Sequence, residues 1–129
     1  MTSLVERLVV APAVAKQLAR GGPVVALEST LISHGLPHPE NVDVARAAEA
    51  AVRESGAAPA TIAIRDGKIL VGLDDEGLAA LATAPAELVM KAARPSLALA
   101  LERPGWAATT VSATMIAAHA AGISVFATG

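Results

Sequence analysis

Residues Thr61 to Leu73 read TIAIRDGKILVGL. Two aliphatic, β-branched runs flank Asp66-Gly67, the two-residue pair whose positive φ angles suit the tight turn of a β-hairpin. An antiparallel strand pair is expected here, and it is the clearest local signal in the chain. Working upstream, PVVAL (23–27) is short, apolar and β-branched, the pattern of a strand covered on both faces. Downstream, ELVMKAA (87–93) has the look of another brief buried strand ending near Lys91, and ISVFATG (123–129) that of a last one. Helical segments lie between these strands. One runs from Pro12 to Ala19 and stops at Gly21-Gly22; another opens at Pro39-Glu40, continues to Ser55 and closes on Gly56. Asp74 should cap a short helix reaching about Leu81, and Pro95 to Glu102 should be helical. TTVSATMIAAHAAG places a hydroxyl at the N-cap, apolar spacing through Val111, Met115, Ile116 and His119, and Gly122 as the stop. Strands alternating with helices, with one hairpin inserted, predict an α/β fold: a mixed sheet with helices on both faces, in a single domain over residues 1–129.

Composition agrees with such a core. The chain has 129 residues, of which 53% are hydrophobic, enough for one domain with a buried interior. Its aromatic residues are Trp106 and Phe126 alone, so the interior must be Ala, Val, Leu and Ile packed closely. The formal net charge of -2, without a cluster of lysine and arginine, disfavours an extended nucleic-acid surface. No cysteine is present, which excludes disulfides and thiolate metal sites and fits a reducing, cytoplasmic setting. Residues 106–129 carry no Asp, Glu, Lys or Arg, but their hydroxyls, His119 and the Ala121-Gly122 break mark buried core rather than a membrane span. Glu6 and Arg7 interrupt the first apolar run, unlike a signal peptide.

In open α/β sheets ligands bind beyond the carboxyl ends of strands. That rule singles out Glu28, Lys91 and Thr128. Glu28, after VVAL, is placed either as a general acid or as a carboxylate that caps a helix or pairs with an arginine. Ser29 and Thr30 read as loop hydroxyls bonding to backbone, since no Gly-x-Ser-x-Gly word surrounds them. His34 and His38 are four apart, yet the glycine and prolines around them deny the helical face a metal pair needs. His119 is most simply a core histidine bonded to a carbonyl. Lys91, followed by Arg94, is either a phosphate or carboxylate contact or a solvated lysine. The ATTV word at a helix start offers free amides to an anion, although plain N-capping accounts for it equally. Neither a Gly-x-Gly-x-x-Gly nor a Walker lysine occurs, so common nucleotide sites are not indicated.

Three longer words narrow the choice. VALESTLISHGLPHPEN (25–41), GAAPATIAIRDGKILVGL (56–73) and ATTVSATMIAAHAAGISVFATG (108–129), in this order and spacing, closely resemble the pseudouridine-5′-phosphate glycosidase family from about Val9 onward. The resemblance implies a lyase that reversibly cleaves the carbon-carbon glycosidic bond of pseudouridine 5′-phosphate to uracil and ribose 5-phosphate, with manganese, in homotrimers. It places the family's proton donor on Glu28, a sugar-phosphate contact on Lys91, a backbone substrate contact on Val111 and a phosphate neighbour on Thr128. A C-glycosidic bond offers no leaving heteroatom to protonate, and the family answers with a lysine Schiff base to the sugar C1 and a glutamate that shuttles protons. That lysine, the metal-binding aspartate and a Ser-x-Asp substrate segment lie downstream of VFATG in the family, and Lys16 and Lys68 sit in segments that offer no substitute. The expectation is therefore an N-terminal portion of the family fold, incomplete relative to the whole, with no metal ligand of its own. The alternative is a truncated, non-catalytic sugar-phosphate-binding or subunit-interaction domain. The word KAARPSL departs from the family at Ala93, Pro95 and Ser96, while Lys91 and Arg94 match it.

Overall fold

The computed structural model describes residues 3–129. The hairpin organises it. Strand β3 (Ala58–Arg65) turns through Asp66 (φ 48°) and Gly67 (φ 77°) into β4 (Lys68–Val71), paired antiparallel with Ile64 opposite Ile69. Every residue from Ala60 to Ile64 is buried, so β3 is covered on both faces rather than being a half-exposed strand. Ala60, Ile62 and Ile64 point into one core with Val14, Ala113 and Ala117. Ala63 points into the other with Ile32, Ala45, Leu78 and Leu81. The helices α1 (Pro12–Ala19) and α5 (Val111–Ala121) thus cover one face, while α2 (Glu40–Glu54) and α3 (Asp75–Thr83) cover the opposite one.

The remaining strands are short and recruited over long distances. β1 (Leu8–Val10) lies parallel to β4, β2 (Val24–Leu27) parallel to the first half of β3, and β7 (Val125–Ala127) parallel to β2. β6 (Trp106–Thr109) runs antiparallel to the second half of β3, and β5 (Met90–Ala92) runs parallel to β6. A short helix α4 (Leu97–Glu102) follows a 3₁₀ turn at Arg94–Ser96. The sheet is mixed and the fold is α/β.

Several local expectations need correction. The segment around Glu87 is not strand: Ala86–Leu88 forms a 3₁₀ turn after Pro85, with Leu88 exposed, and the strand begins only at Met90. β7 occupies a sheet edge, where Val125 is exposed, so it is not a fully buried strand. On α5 the buried face is made of Ala113, Thr114, Ala117 and Ala118, not of Val111 and Met115, because small side chains let the helix lie close on the sheet. His119 is consequently exposed rather than a core residue. The expected caps do hold elsewhere: the Asp74 side chain accepts from the Gly77 amide at 2.7 Å, and Gly56 and Gly122 take the left-handed conformation behind α2 and α5.

Gly72 shows how tightly β4 is joined to the first layer. Its φ is 100°, its amide donates to the Thr61 carbonyl, and an added Cβ would meet Ala11 Cβ at 2.9 Å and Val14 Cγ2 at 3.0 Å. Gly72→Ala is expected to cost about 2–4 kcal/mol, from backbone strain plus overpacking. A urea midpoint that stays at the wild-type value would show that β1 and α1 yield freely.

A candidate active site where four strand ends meet

β2 and β6 pair with the same edge of β3, the one from its first residue onward and the other from its last backward. Running toward each other, they bring their carboxyl ends together near Thr61 and Ile62. β7 beside β2 and β5 beside β6 end there too. Four strand ends therefore converge, carrying Glu28 and Thr128 from one side and Thr110 with Ala93 from the other. This is the situation in which strand ends build a site, here by opposition of two strand pairs.

Glu28 is half-buried, and the Thr128 hydroxyl donates to its Oε1 at 2.6 Å. The two were expected in different roles, one as acid and one beside a phosphate; the fold joins them directly. With Oε1 accepting that bond, Oε2 has no hydrogen-bond partner among the described residues. Beyond Glu28 the chain forms one π-helical turn, Leu31–Gly35, before the non-helical residues 36–39 that lead into α2. Such wide turns recur at functional sites. The turn and β5 border an open, shallow cleft of ≈ 240 Å³ lined by Glu28, Thr30, Leu31, His34, Gly35 and Lys91. Lys91 is exposed on the cleft wall, and among the described residues no ion pair joins it to Glu28. His34 Nε2 lies 2.9 Å from the Val89 carbonyl, tying the turn to the residue just before β5, while His38 is exposed.

Val111 opens α5 next to this convergence. Thr110 sits at the N-cap, but its hydroxyl lies 3.3 Å from Ser112 Oγ and does not cap the helix. The Thr110 amide is bound to the Ala92 carbonyl and the Arg94 amide to Ser112 Oγ. The first-turn amides of α5 thus receive no side-chain cap and are the groups that an anion could take. Lys91 on β5 and Val111 just beyond β6 are neighbours across the sheet, as the Lys91–Ala108 pairing of β5 and β6 dictates.

Two features were not foreseen from the sequence. Ser29, Thr109 and Thr114 form a buried hydroxyl cluster, described below, of which only the backbone bonding of Ser29 was anticipated. Glu49 is buried on α2 and accepts from the Thr61 hydroxyl at 2.7 Å, with Arg53 Nη2 at 3.4 Å from its other oxygen. The available signal was positional: Val42, Ala45 and Glu49 fall on one helical face. Among the described residues no three His, Asp or Glu side chains are grouped as a divalent cation needs, so these residues alone do not fit manganese. No helix among them is long and apolar enough to cross a membrane.

The fold defines an α/β protein that gathers a carboxylate, a lysine and an uncapped helix start at opposed strand ends. Its lineage follows from comparison with known proteins. Residues 13–129 match the family described as Indigoidine synthase A like protein, and the chain belongs to that family. It is 60% identical over 124 residues to a pseudouridine-5′-phosphate glycosidase of Paracoccus denitrificans, covering 95% of this chain and 40% of the relative. A protein of the same name from Sorangium cellulosum is 51% identical over 127 residues, covering 98% of this chain and 40% of the relative. Among solved structures, prealnumycin C-glycosynthase AlnA in complex with ribulose 5-phosphate superposes with TM-score 0.82 at 40% identity, over 95% of this chain and 38% of that one. An indigoidine synthase A-like protein from Thermotoga maritima gives TM-score 0.74 at 37% identity, over 83% of this chain and 36% of that one. The chain spans about two fifths of the length of the curated relatives it matches.

Proposed function

We propose that residues 1–129 supply the proton donor and part of the sugar-phosphate site of a pseudouridine-5′-phosphate glycosidase, a lyase that reversibly cleaves the C-glycosidic bond to give uracil and ribose 5-phosphate. The observation that carries this is Glu28 and Lys91 lining one cleft at the meeting of four strand ends, in a chain 60% identical to a protein of that name. Glu28, steadied at Oε1 by Thr128, delivers a proton from Oε2 to the departing base or the ring oxygen. Lys91 and the α5 amides at Val111 hold the phosphate. Thr128 serves the carboxylate first, and the phosphate only as a neighbour.

The covalent step needs a lysine that forms a Schiff base. Lys16 lies on α1 and Lys68 in the hairpin, both outside the cleft. The nucleophile, and manganese with its ligand, are assigned to segments beyond these residues, in a cytoplasmic trimer. A polypeptide of residues 1–129 is accordingly expected to bind ribose 5-phosphate in calorimetry and to release no uracil from pseudouridine 5′-phosphate with manganese present. Uracil release by this polypeptide, with sugar trapped on Lys91 by borohydride, would instead make Lys91 the nucleophile. Ribose 5-phosphate binding that persists when residues 1–129 are joined to a complete catalytic half, without turnover, would favour the non-catalytic binding module.

A further inference from the structure

Ser29, Thr109 and Thr114 are each at most 1% exposed, and their hydroxyls meet at the point where β2 and β6 abut. Thr109 Oγ1 donates to the Ile62 carbonyl at 2.7 Å and accepts from Thr114 Oγ1 at 2.8 Å. Ser29 Oγ lies 3.3 Å from Thr109 Oγ1. A hydroxyl has one hydrogen and two acceptor positions, and the hydrogen of Thr109 is already committed to Ile62. Ser29 must therefore be the donor in that contact, which leaves Thr109 Oγ1 with one bond given and two received. Ser29 Oγ in turn accepts the Thr109 amide at 2.8 Å, and the Ser29 amide donates to the Thr109 carbonyl at 3.1 Å. Every member is satisfied, in a buried setting where a partly satisfied network would be costly.

The cluster clamps two segments that are 80 positions apart in sequence and that both pair with β3. Immediately before Ser29 stands Glu28, and the Ser29 carbonyl accepts from the Ile32 amide to start the π-helical turn. Immediately after Thr109 stands Thr110, whose amide holds the end of β5 and which begins α5. The clamp thus sets the carboxylate side of the cleft against the anion side. Resting on the sugar-phosphate reading above, we propose that Thr109, through Ser29 and Thr114, is a positioning residue that fixes Glu28 relative to Val111 and Lys91, so that one sugar phosphate can engage both.

Inorganic phosphate needs only the anion side, whereas ribose 5-phosphate needs both. Thr109→Val keeps the shape and removes the hydroxyl; Thr109→Ser restores it. In calorimetry on the 129-residue chain, Thr109→Val is expected to weaken ribose 5-phosphate about tenfold while leaving inorganic phosphate within about twofold, and Thr109→Ser to recover the ribose 5-phosphate affinity. Should the valine variant not fold, Ser29→Ala, which removes the other half of the clamp, is put through the same comparison with the same expected split. Equal weakening of both ligands, or of neither, would overturn the positioning role. Failure of the unaltered chain to bind ribose 5-phosphate would overturn the sugar-phosphate reading and this inference with it, an outcome distinguishable from the first.

Discussion

Replacing Asn41 with leucine is expected to lower the unfolding free energy by about 3–5 kcal/mol, a large part of the 5–15 kcal/mol of an ordinary domain. Asn41 is 3% exposed, and its amide nitrogen donates at 2.9 Å both to the Ile32 carbonyl and to the Ala82 carbonyl, while its oxygen accepts the Val42 amide at 2.8 Å. Those carbonyls have a structural reason to need a side chain. Five residues after Ile32, where a π-helical turn would draw its amide, stands Pro37, which has no hydrogen to give. Ala82 lies in the last turn of α3, where carbonyls run out of intrahelical partners. One amide thus closes both ends and fastens the π-helical turn, α2 and α3 together. Leucine keeps the branching of the side chain but strands two carbonyls and one amide, and its methyl groups crowd atoms that asparagine holds at 2.8–2.9 Å. Asn41→Asp is the sharper comparison: it keeps the acceptor, gives no hydrogen when ionised, and turns a carboxylate on two carbonyls, so its loss should equal or exceed that of leucine. Chemical denaturation of the three proteins measures both differences, and a leucine variant within 1 kcal/mol of wild type, far below the roughly 1–3 kcal/mol expected for each stranded group, would mean water reaches those carbonyls freely.

The same residues show what a sequence discloses. Features set by neighbours along the chain were legible: the Asp66-Gly67 turn, the Asp74 cap, the α1 helix from Pro12 to Ala19 and the glycine stops. Features set by partners far away were not. β1 is three residues long and is paired with β4, some 60 positions on, so its Leu-Val-Val carries too short a local pattern to announce a strand. β6 is Trp-Ala-Ala-Thr, a four-residue stretch with two strand-depleted alanines at its centre, and is extended because β3 and β5 flank it. The error on α5 has a related origin, since apolar spacing through Val111 and Met115 says nothing about which face must approach a sheet closely. For the site, the rule that strand ends hold ligands singled out Glu28, Lys91 and Thr128, and the fold brings Glu28 beside Thr128 and onto one groove with Lys91. Their mutual arrangement depends on β2 and β6 meeting end to end on one edge of β3, which no spacing in the sequence encodes. The Thr128 to Glu28 bond and the Ser29–Thr109 clamp are consequences of that meeting.

Glu28→Gln is expected to reduce turnover by about 10² to 10⁴, the usual worth of a positioned general acid, while substrate affinity changes little. The comparison requires a catalytic whole, and a fusion of residues 1–129 to the remaining part of the Paracoccus denitrificans relative provides one, since the two agree at 60% of 124 positions. Glutamine preserves the local structure for a definite reason: its Oε1 can still accept the Thr128 hydroxyl that now holds the carboxylate at 2.6 Å. Only Oε2, the oxygen left free for the proton, is exchanged for an amide nitrogen that cannot release one at neutral pH. A loss in kcat with KM near wild type would therefore follow from the missing proton and not from a displaced side chain. Thr128→Val separates the two contributions, because it keeps the acid and removes its anchor; its effect should be smaller than that of Glu28→Gln and should nearly vanish in the glutamine background if the two residues act as one unit. Turnover of the Glu28→Gln fusion within threefold of the parent would remove Glu28 from the chemistry. The carboxylate at the end of VVAL would then be a structural partner for Thr128 that closes the ends of β2 and β7 together.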